Sequence, residues 1–228
     1  MGLTPQDWTA VGVSLVVAGR AVAFALPLAV AVAFLLARGR FPGRSVLDAF
    51  VHAPMVLPPV VVGFGLLLLF GVKGPLGALL ADMGVRLVFT SAGASLAAGV
   101  MAFPLMVRAV RLSLDAADPG LEIAARSLGA APLDRFLSIT LPLAAPGVLA
   151  AAITGFAACM GEFGAVITFA ADAPGETETL PLAIYAALQT PGGEPAAVRL
   201  ALLSFAVAGA ALILSELLAR RVRLWSRG

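Results

Sequence analysis

The chain has 228 residues, 61% of them hydrophobic and only 12% charged, with a formal net charge of +2. A soluble domain carries roughly 25% charged residues. Half that density leaves too little polar surface to face water, so the surrounding solvent must be lipid. The small net charge, divided among short basic clusters, argues against nucleic acid as a partner and fits membrane orientation instead. The expected fold is an all-α polytopic membrane protein, with residues 1–228 forming a single transmembrane domain.

A membrane helix needs about 20 apolar residues. Five stretches qualify in chain order: Val11–Ala37, Val46–Phe70, Ser91–Val110, Leu143–Ala171 and Ala196–Leu218. The N-terminal MGLTPQDWTA lacks the basic start of a cleavable signal peptide, so the first run is expected to be retained. Pro27 interrupts the first run and Pro58–Pro59 the second. Lipid tolerates such breaks only where neighbouring helices or a wet cavity satisfy the freed carbonyls. Cys159, the only cysteine, lies inside the fourth run and reads as a small apolar residue packed between helices.

The basic residues set the orientation. Arg38, Arg40 and Arg44 lie between the first two runs, Arg108, Arg111, Arg126 and Arg135 at or between the third and fourth, and Arg220, Arg221, Arg223 and Arg227 after the fifth. The opposite side keeps Lys73, Arg86 and Arg199 and gathers Asp7, Asp82, Asp172, Glu176, Glu178 and Glu194. The positive-inside rule then puts the C-terminus in the cytoplasm and, with an odd number of spans, the N-terminus outside. Thr4 is expected outside and Ser226 inside.

Between the third and fourth runs lies a cytoplasmic loop, about 114–142. Asp118 can cap a helix starting at Pro119, where the missing N–H costs nothing. Leu121, Ala124, Ala125 and Leu128 fall on one apolar stripe, and Glu122 and Arg126 form an i, i+4 pair on another face. Gly129 stands where a left-handed residue would end that helix. A second short helix can start at Pro132, with Leu133, Phe136 and Leu137 on its apolar side, and Pro142 and Pro146 are expected to break it before the next span.

With Glu122, Ala124, Ala125, Gly129, Ile139, Leu141 and Pro142 at these spacings, the chain resembles the binding-protein-dependent ABC importer permeases. Ile123 departs from that pattern, standing where a second acid is common. Further segments, LPPVVVG at 57–63, FPLMVRA at 103–109, GEFGA at 161–165 and QTPGGE at 189–194, are similar to the molybdate permeases, several of them general to oxyanion permeases. The resemblance implies a type I importer permease fold in the bacterial inner membrane, working as a homodimer with one oxyanion pathway at its interface. It implies that Leu121–Leu128, including Arg126, is a coupling helix docking on a separate cytoplasmic ATPase, which would hold the ATP and magnesium. It also implies an extracytoplasmic solute-binding protein that supplies molybdate or tungstate, with sulfate as the alternative. No cofactor or metal is expected in this chain itself.

The chain carries no G-x-x-x-x-G-K-S/T phosphate loop, so the energy source must be another polypeptide. A stand-alone secondary transporter would usually show paired repeats, which five unequal spans argue against. One histidine excludes the H-E-x-x-H zinc arrangement, and catalysis is not expected.

Within the spans, Glu162 is an acid in an apolar run, which costs about 2.5–3.5 kcal/mol on insertion scales and demands a cavity, a partner or the membrane edge. Glu162 and Phe163 fit a pathway or gate; a hydrogen-bonded structural acid fits Glu162 equally. Pro58, Pro59 and Gly63 fit either a bent pathway-lining segment or a plain kink. Arg20 can snorkel outward or draw an anion to the cavity mouth. His52, beside Pro54, reads as an interfacial residue rather than a metal ligand.

Overall fold

The computed structural model describes residues 2–117 and 119–225, without the side chains of Pro119, Glu122, Leu212 and residues 214–225. Helix α1 runs Pro5–Arg38, α2 Arg44–Val56, α3 Pro59–Phe70, α4 Pro75–Asp82 and α5 Ser91–Ala116. After α5 come α6 (Pro119–Ser127), α7 (Pro132–Arg135), a π turn at Phe136–Thr140 and α8 (Leu141–Met160). Helices α9 (Gly164–Ala170), α10 (Leu180–Gln189) and α11 (Glu194–Trp225) complete the chain. No strand occurs among the described residues.

Helix α5 is the centre of the bundle: 61% of its most apolar window is buried, against 11–22% for the other long spans. Small residues allow this. Gly93, Ala94, Ala97, Ala98, Gly99 and Ala102 of α5 are buried, as are Ala18, Ala21, Ala29 and Ala33 of α1. Helix α8 contributes the stripe Ala144, Gly147, Ala151, Gly155 and Cys159. Without a hydrophobic drive between helices in lipid, close backbone approach supplies the dispersion contacts that hold them. A Cβ on Gly147 would overlap Ser113, and one on Gly155 would lie 2.7 Å from Cγ of Met106. Cys159 packs in this seam as a small residue.

Four helical stretches are long and apolar enough to cross a membrane, and the pair α2–α3, bent by 118° at Leu57–Pro58, makes a fifth. Arg20 Nη1 donates to Ser91 Oγ (3.2 Å) and Arg38 Nη2 donates to the Leu114 carbonyl (3.0 Å). Helices α1 and α5 therefore run in the same direction, so the chain between them must return across the bilayer and α2–α3 is a bent crossing. Helix α8 runs antiparallel to α5, with Gly147 against Ser113 and Gly155 against Met106. This register continues into α9, where Phe169 O accepts from Phe89 N–H.

Several expectations require correction. Pro27 does not interrupt the first span: α1 is one helix of 34 residues. Membrane helices accommodate a proline where neighbours re-satisfy the freed carbonyl. Pro142 and Pro146 do not separate the loop from the fourth span either, since residues 132–160 form one continuous helical stretch. The π turn just before Pro142 absorbs the missing donor: Leu141 N–H bonds to Phe136 O, five residues back, and the helix proceeds. The fourth span, expected unbroken over Leu143–Ala171, is instead interrupted at Gly161–Phe163. Helix α10 lay outside the five expected spans; its 10 residues reach only about 15 Å, too short to cross.

The N-terminal ends of α1 and α11 are locked together. Thr4 and Asp7 form a reciprocal capping box. The same Asp7 carboxylate, 3% exposed, accepts from Arg199 Nε (2.7 Å) and Nη2 (3.3 Å). Ser14 Oγ accepts the Leu180 N–H (2.7 Å), and Ala10, Val11, Leu180, Ala183 and Leu200 form a small second core there. This Asp7 end lies opposite the loop between α5 and α8.

Candidate functional site: an uncovered loop helix and two broken spans

The first part of the site is α6. Gly129 takes φ +83°, and the helix closes with Ala130 N–H bonding to Ala125 O and Gly129 N–H to Arg126 O, both 3.1 Å. These are the 6→1 and 5→2 bonds of a Schellman ending, which needs a left-handed residue at the glycine. Asp118, the expected cap, and the Glu122 side chain of the Glu122–Arg126 pair lie outside the described residues; Arg126 is exposed.

The apolar stripe of α6 faces outward. Leu121 is 48% exposed and Leu128 88%, Ala124 is exposed, and Ala125 is half-buried. Leu133 and Leu137 are exposed beside them, while Phe136 turns inward to an edge contact with Phe34, ring centroids 5.0 Å apart. Ile139 and Leu141 are half-buried and Pro142 exposed, in the continuous helix that leads into the membrane. The loop helix thus presents exposed leucines at the Gly129 end, while its neighbour Phe136 is anchored in the bundle.

The second part lies where the bent α2–α3 crossing meets the interrupted α8–α9 crossing. At Pro58–Pro59 the second proline sits in the first turn of α3, so its missing N–H breaks no bond of that helix. A Cβ on Gly63 would come within 2.7 Å of Ala165 O and 2.9 Å of Thr168 Cβ, and one on Gly164 within 2.7 Å of Pro59 Cβ. The two breaks therefore pack directly against each other, and glycine is what lets them.

A cavity of about 290 Å³ opens beside this crossing, its wall including Met55, Leu57, Pro59, Met101, Leu105 and Glu162. Glu162 is half-buried, and its Oε1 accepts the Ala165 N–H at 2.9 Å, capping α9. Glu162 is thus a hydrogen-bonded structural acid that also lines the cavity. Phe163 is turned away, its ring 5.1 Å from Tyr185 of α10. Gly63 is buried in the helix contact and Pro58 is exposed at the break, neither on the cavity wall. Thioether and aliphatic groups with one carboxylate offer no cationic grip for an anion on this wall. Met55, Met101 and Tyr185 were not singled out by sequence; as isolated apolar residues in apolar runs they carry no pattern.

Arg20 is held by the Ser91 hydroxyl at the start of α5. The His52 ring donates through Nδ1 to the Asp48 carbonyl (2.8 Å) and lies 3.4 Å from its carboxylate. Among the described residues, no cluster of three or more His, Cys, Asp or Glu could hold a metal ion.

Comparison with known proteins agrees with this architecture. The chain is 51% identical over 221 residues to the molybdenum transport system permease protein ModB of Escherichia coli K12, covering 96% of each. It is 37% identical over 185 residues to the sulfate transport system permease protein CysT of Salmonella typhimurium, covering 81% of this chain and 67% of that one. The fold matches a crystal structure of a bacterial ABC transporter involved in alginate import with a TM-score of 0.75 at 16% identity, covering 96% of this chain and 80% of that one. The profile of the binding-protein-dependent transport system inner membrane component matches residues 25–224, and the chain belongs to that family.

Proposed function

We propose that this chain is the membrane-spanning permease of a molybdate importer in the bacterial inner membrane. Two copies enclose one pathway, an ATPase on a separate chain docks on α6, and an extracytoplasmic binding protein delivers the oxyanion at the Asp7 end. ATP and magnesium reside on the ATPase, and this chain performs no chemistry on the substrate. The observation that carries the mechanism is the uncovered leucine stripe of α6, closed by Gly129 and joined to the central helix by a two-residue link. The substrate follows the molybdenum relative, matched along nearly its whole length, in preference to the sulfate relative, matched along two thirds.

Closure of paired ATPases would move the α6 helices and open the cavity to each side in turn. The cavity wall supports a division of labour in which specificity resides in the binding protein. Uptake of radiolabelled molybdate in cells lacking their own system tests the assignment, with this chain expressed beside its ATPase and binding protein. Accumulation should require ATP and resist excess sulfate. Accumulation of sulfate instead would reassign the substrate, and uptake driven by an ion gradient alone would defeat the importer reading. Orientation is tested by single cysteines at Thr4 and Ser226 in a Cys159→Ala background, which should label from outside and inside respectively. Labelling from one side would mean an even number of crossings.

A further inference from the structure

The last turns of α5 form a junction. Leu114 O accepts from Arg38 of α1, Ser113 packs against Gly147 of α8, and Arg111 Nη1 donates to Asp48 Oδ1 of α2 at 3.0 Å. Only residues 117 and 118 separate this junction from α6, three Cα–Cα steps that reach about 11 Å at most, so α6 cannot shift far without dragging the end of α5.

The three ties differ in kind. Those to α1 and α8 are embedded in seams of small residues that run the length of the bundle, so these helices move with α5 as one body. Helix α2 buries only Val51, and its one ion-pair tie to α5 among the described residues is Asp48–Arg111. Its far end reaches the cavity wall at Met55, seven residues on, with Leu57 just past the helix, next to the break. Helix α2 is thus a short lever with its charged handle on the junction and its tip on the pathway.

The handle joins one guanidinium nitrogen to one carboxylate oxygen, with a second acid close by. Asp48 and Arg111 are 40% and 28% exposed, Asp115 Oδ2 lies 3.8 Å from Arg111 Nε, and His52 donates to the Asp48 backbone carbonyl. A guanidinium presents its donors as a planar fork, which fixes geometry in a way a lysine ammonium does not. We propose that Asp48 and Arg111 are a positioning pair that transmits displacement of the coupling helix to the cavity wall through α2. This rests on the proposed docking of an ATPase on α6.

The test uses the complete importer in proteoliposomes and reads molybdate transported per ATP hydrolysed, together with co-purification of the ATPase. Asp48→Asn and Arg111→Gln should each lower that ratio about tenfold while the ATPase stays bound. Because both act through one contact, the double variant should be no worse than either single. Arg111→Lys should give a smaller fall, keeping charge but losing the fork, and it serves as the readout if the neutral variants fail to accumulate. An unchanged ratio in all of them would overturn the proposal, as would losses that multiply in the double variant. Failure of the docking reading is distinguishable, because Gly129→Val would then leave ATPase association intact.

Discussion

The loop helix α6 and the crossing of the two broken spans are built on opposite plans. Helix α6 is written in one contiguous stretch: the stripe, the Schellman glycine and the exit into the next span follow one another within about two dozen residues, and its leucines remain exposed. The crossing is assembled from segments a hundred residues apart, and its defining contacts are satisfied within the chain. Gly63 meets Ala165, Gly164 meets Pro59, and Glu162 caps α9. The difference fits the proposed roles: an element that recognises another protein must leave surface unspent, whereas one that shapes a pathway must be held by its own fold. Substitutions in the first should spare folding and abolish partnership; substitutions in the second should strike folding first.

The largest expected effect lies in the packed interior. Gly147→Leu drives a side chain into Ser113 and toward the Ala109 carbonyl, which stands 3.0 Å from where the new Cβ would be. Overpacking of this kind costs about 3 kcal/mol, the upper part of the usual range. The variant should be nearly absent from membranes or melt far below wild type by thermal size-exclusion assay. Wild-type melting would mean that the seam is looser than its small residues imply.

Next, Leu128→Asp should leave melting unchanged, since the side chain is 88% exposed. A leucine fully buried by a partner contributes about 1.5–3 kcal/mol, so ATPase association should weaken tenfold or more. Equal association would remove α6 as the docking surface. Smaller effects are expected at Glu162. Glu162→Ala loses the cap on Ala165 N–H and costs about 1 kcal/mol. Glu162→Gln retains an acceptor and should keep stability while changing uptake several-fold, because the charge on the cavity wall is gone. Unchanged uptake in the Gln variant would leave the residue a cap alone.

What the sequence discloses divides along the same line. Apolar runs located the crossings because lipid demands them locally. Gly129 was legible because a helix end needs a left-handed residue at a fixed offset from a stripe. Pro58–Pro59 was legible because two adjacent prolines remove two donors. The break at Gly161–Phe163 was not, since no proline marks it and its cause is tertiary: Gly164 must sit on Pro59. The prolines at 27, 142 and 146 misled because their effect depends on whether neighbours or a π turn take up the freed groups. The partners Arg111 of Asp48 and Ser91 of Arg20 are equally tertiary, since a charge in a run announces that a partner exists without naming it, whereas Glu162 bonds locally, to the Ala165 N–H three residues on.

If α6 couples this permease to an ATPase through a helix ended by Gly129, that glycine is the place to break the coupling. Its φ of +83° with open space around the Cβ position means that a side chain there meets strain and no clash. A side chain in the left-handed region costs about 1–2 kcal/mol, more if β-branched, enough to extend or tilt α6 and carry Leu121 and Leu128 out of register. The measurement is co-purification of the ATPase with Gly129→Val, beside Ala130→Val and with uptake in the same cells. Gly129→Val should remain integrated in the membrane with ATPase association down tenfold or more and little uptake, Ala130→Val remaining near wild type. Wild-type association and uptake in Gly129→Val would contradict that coupling.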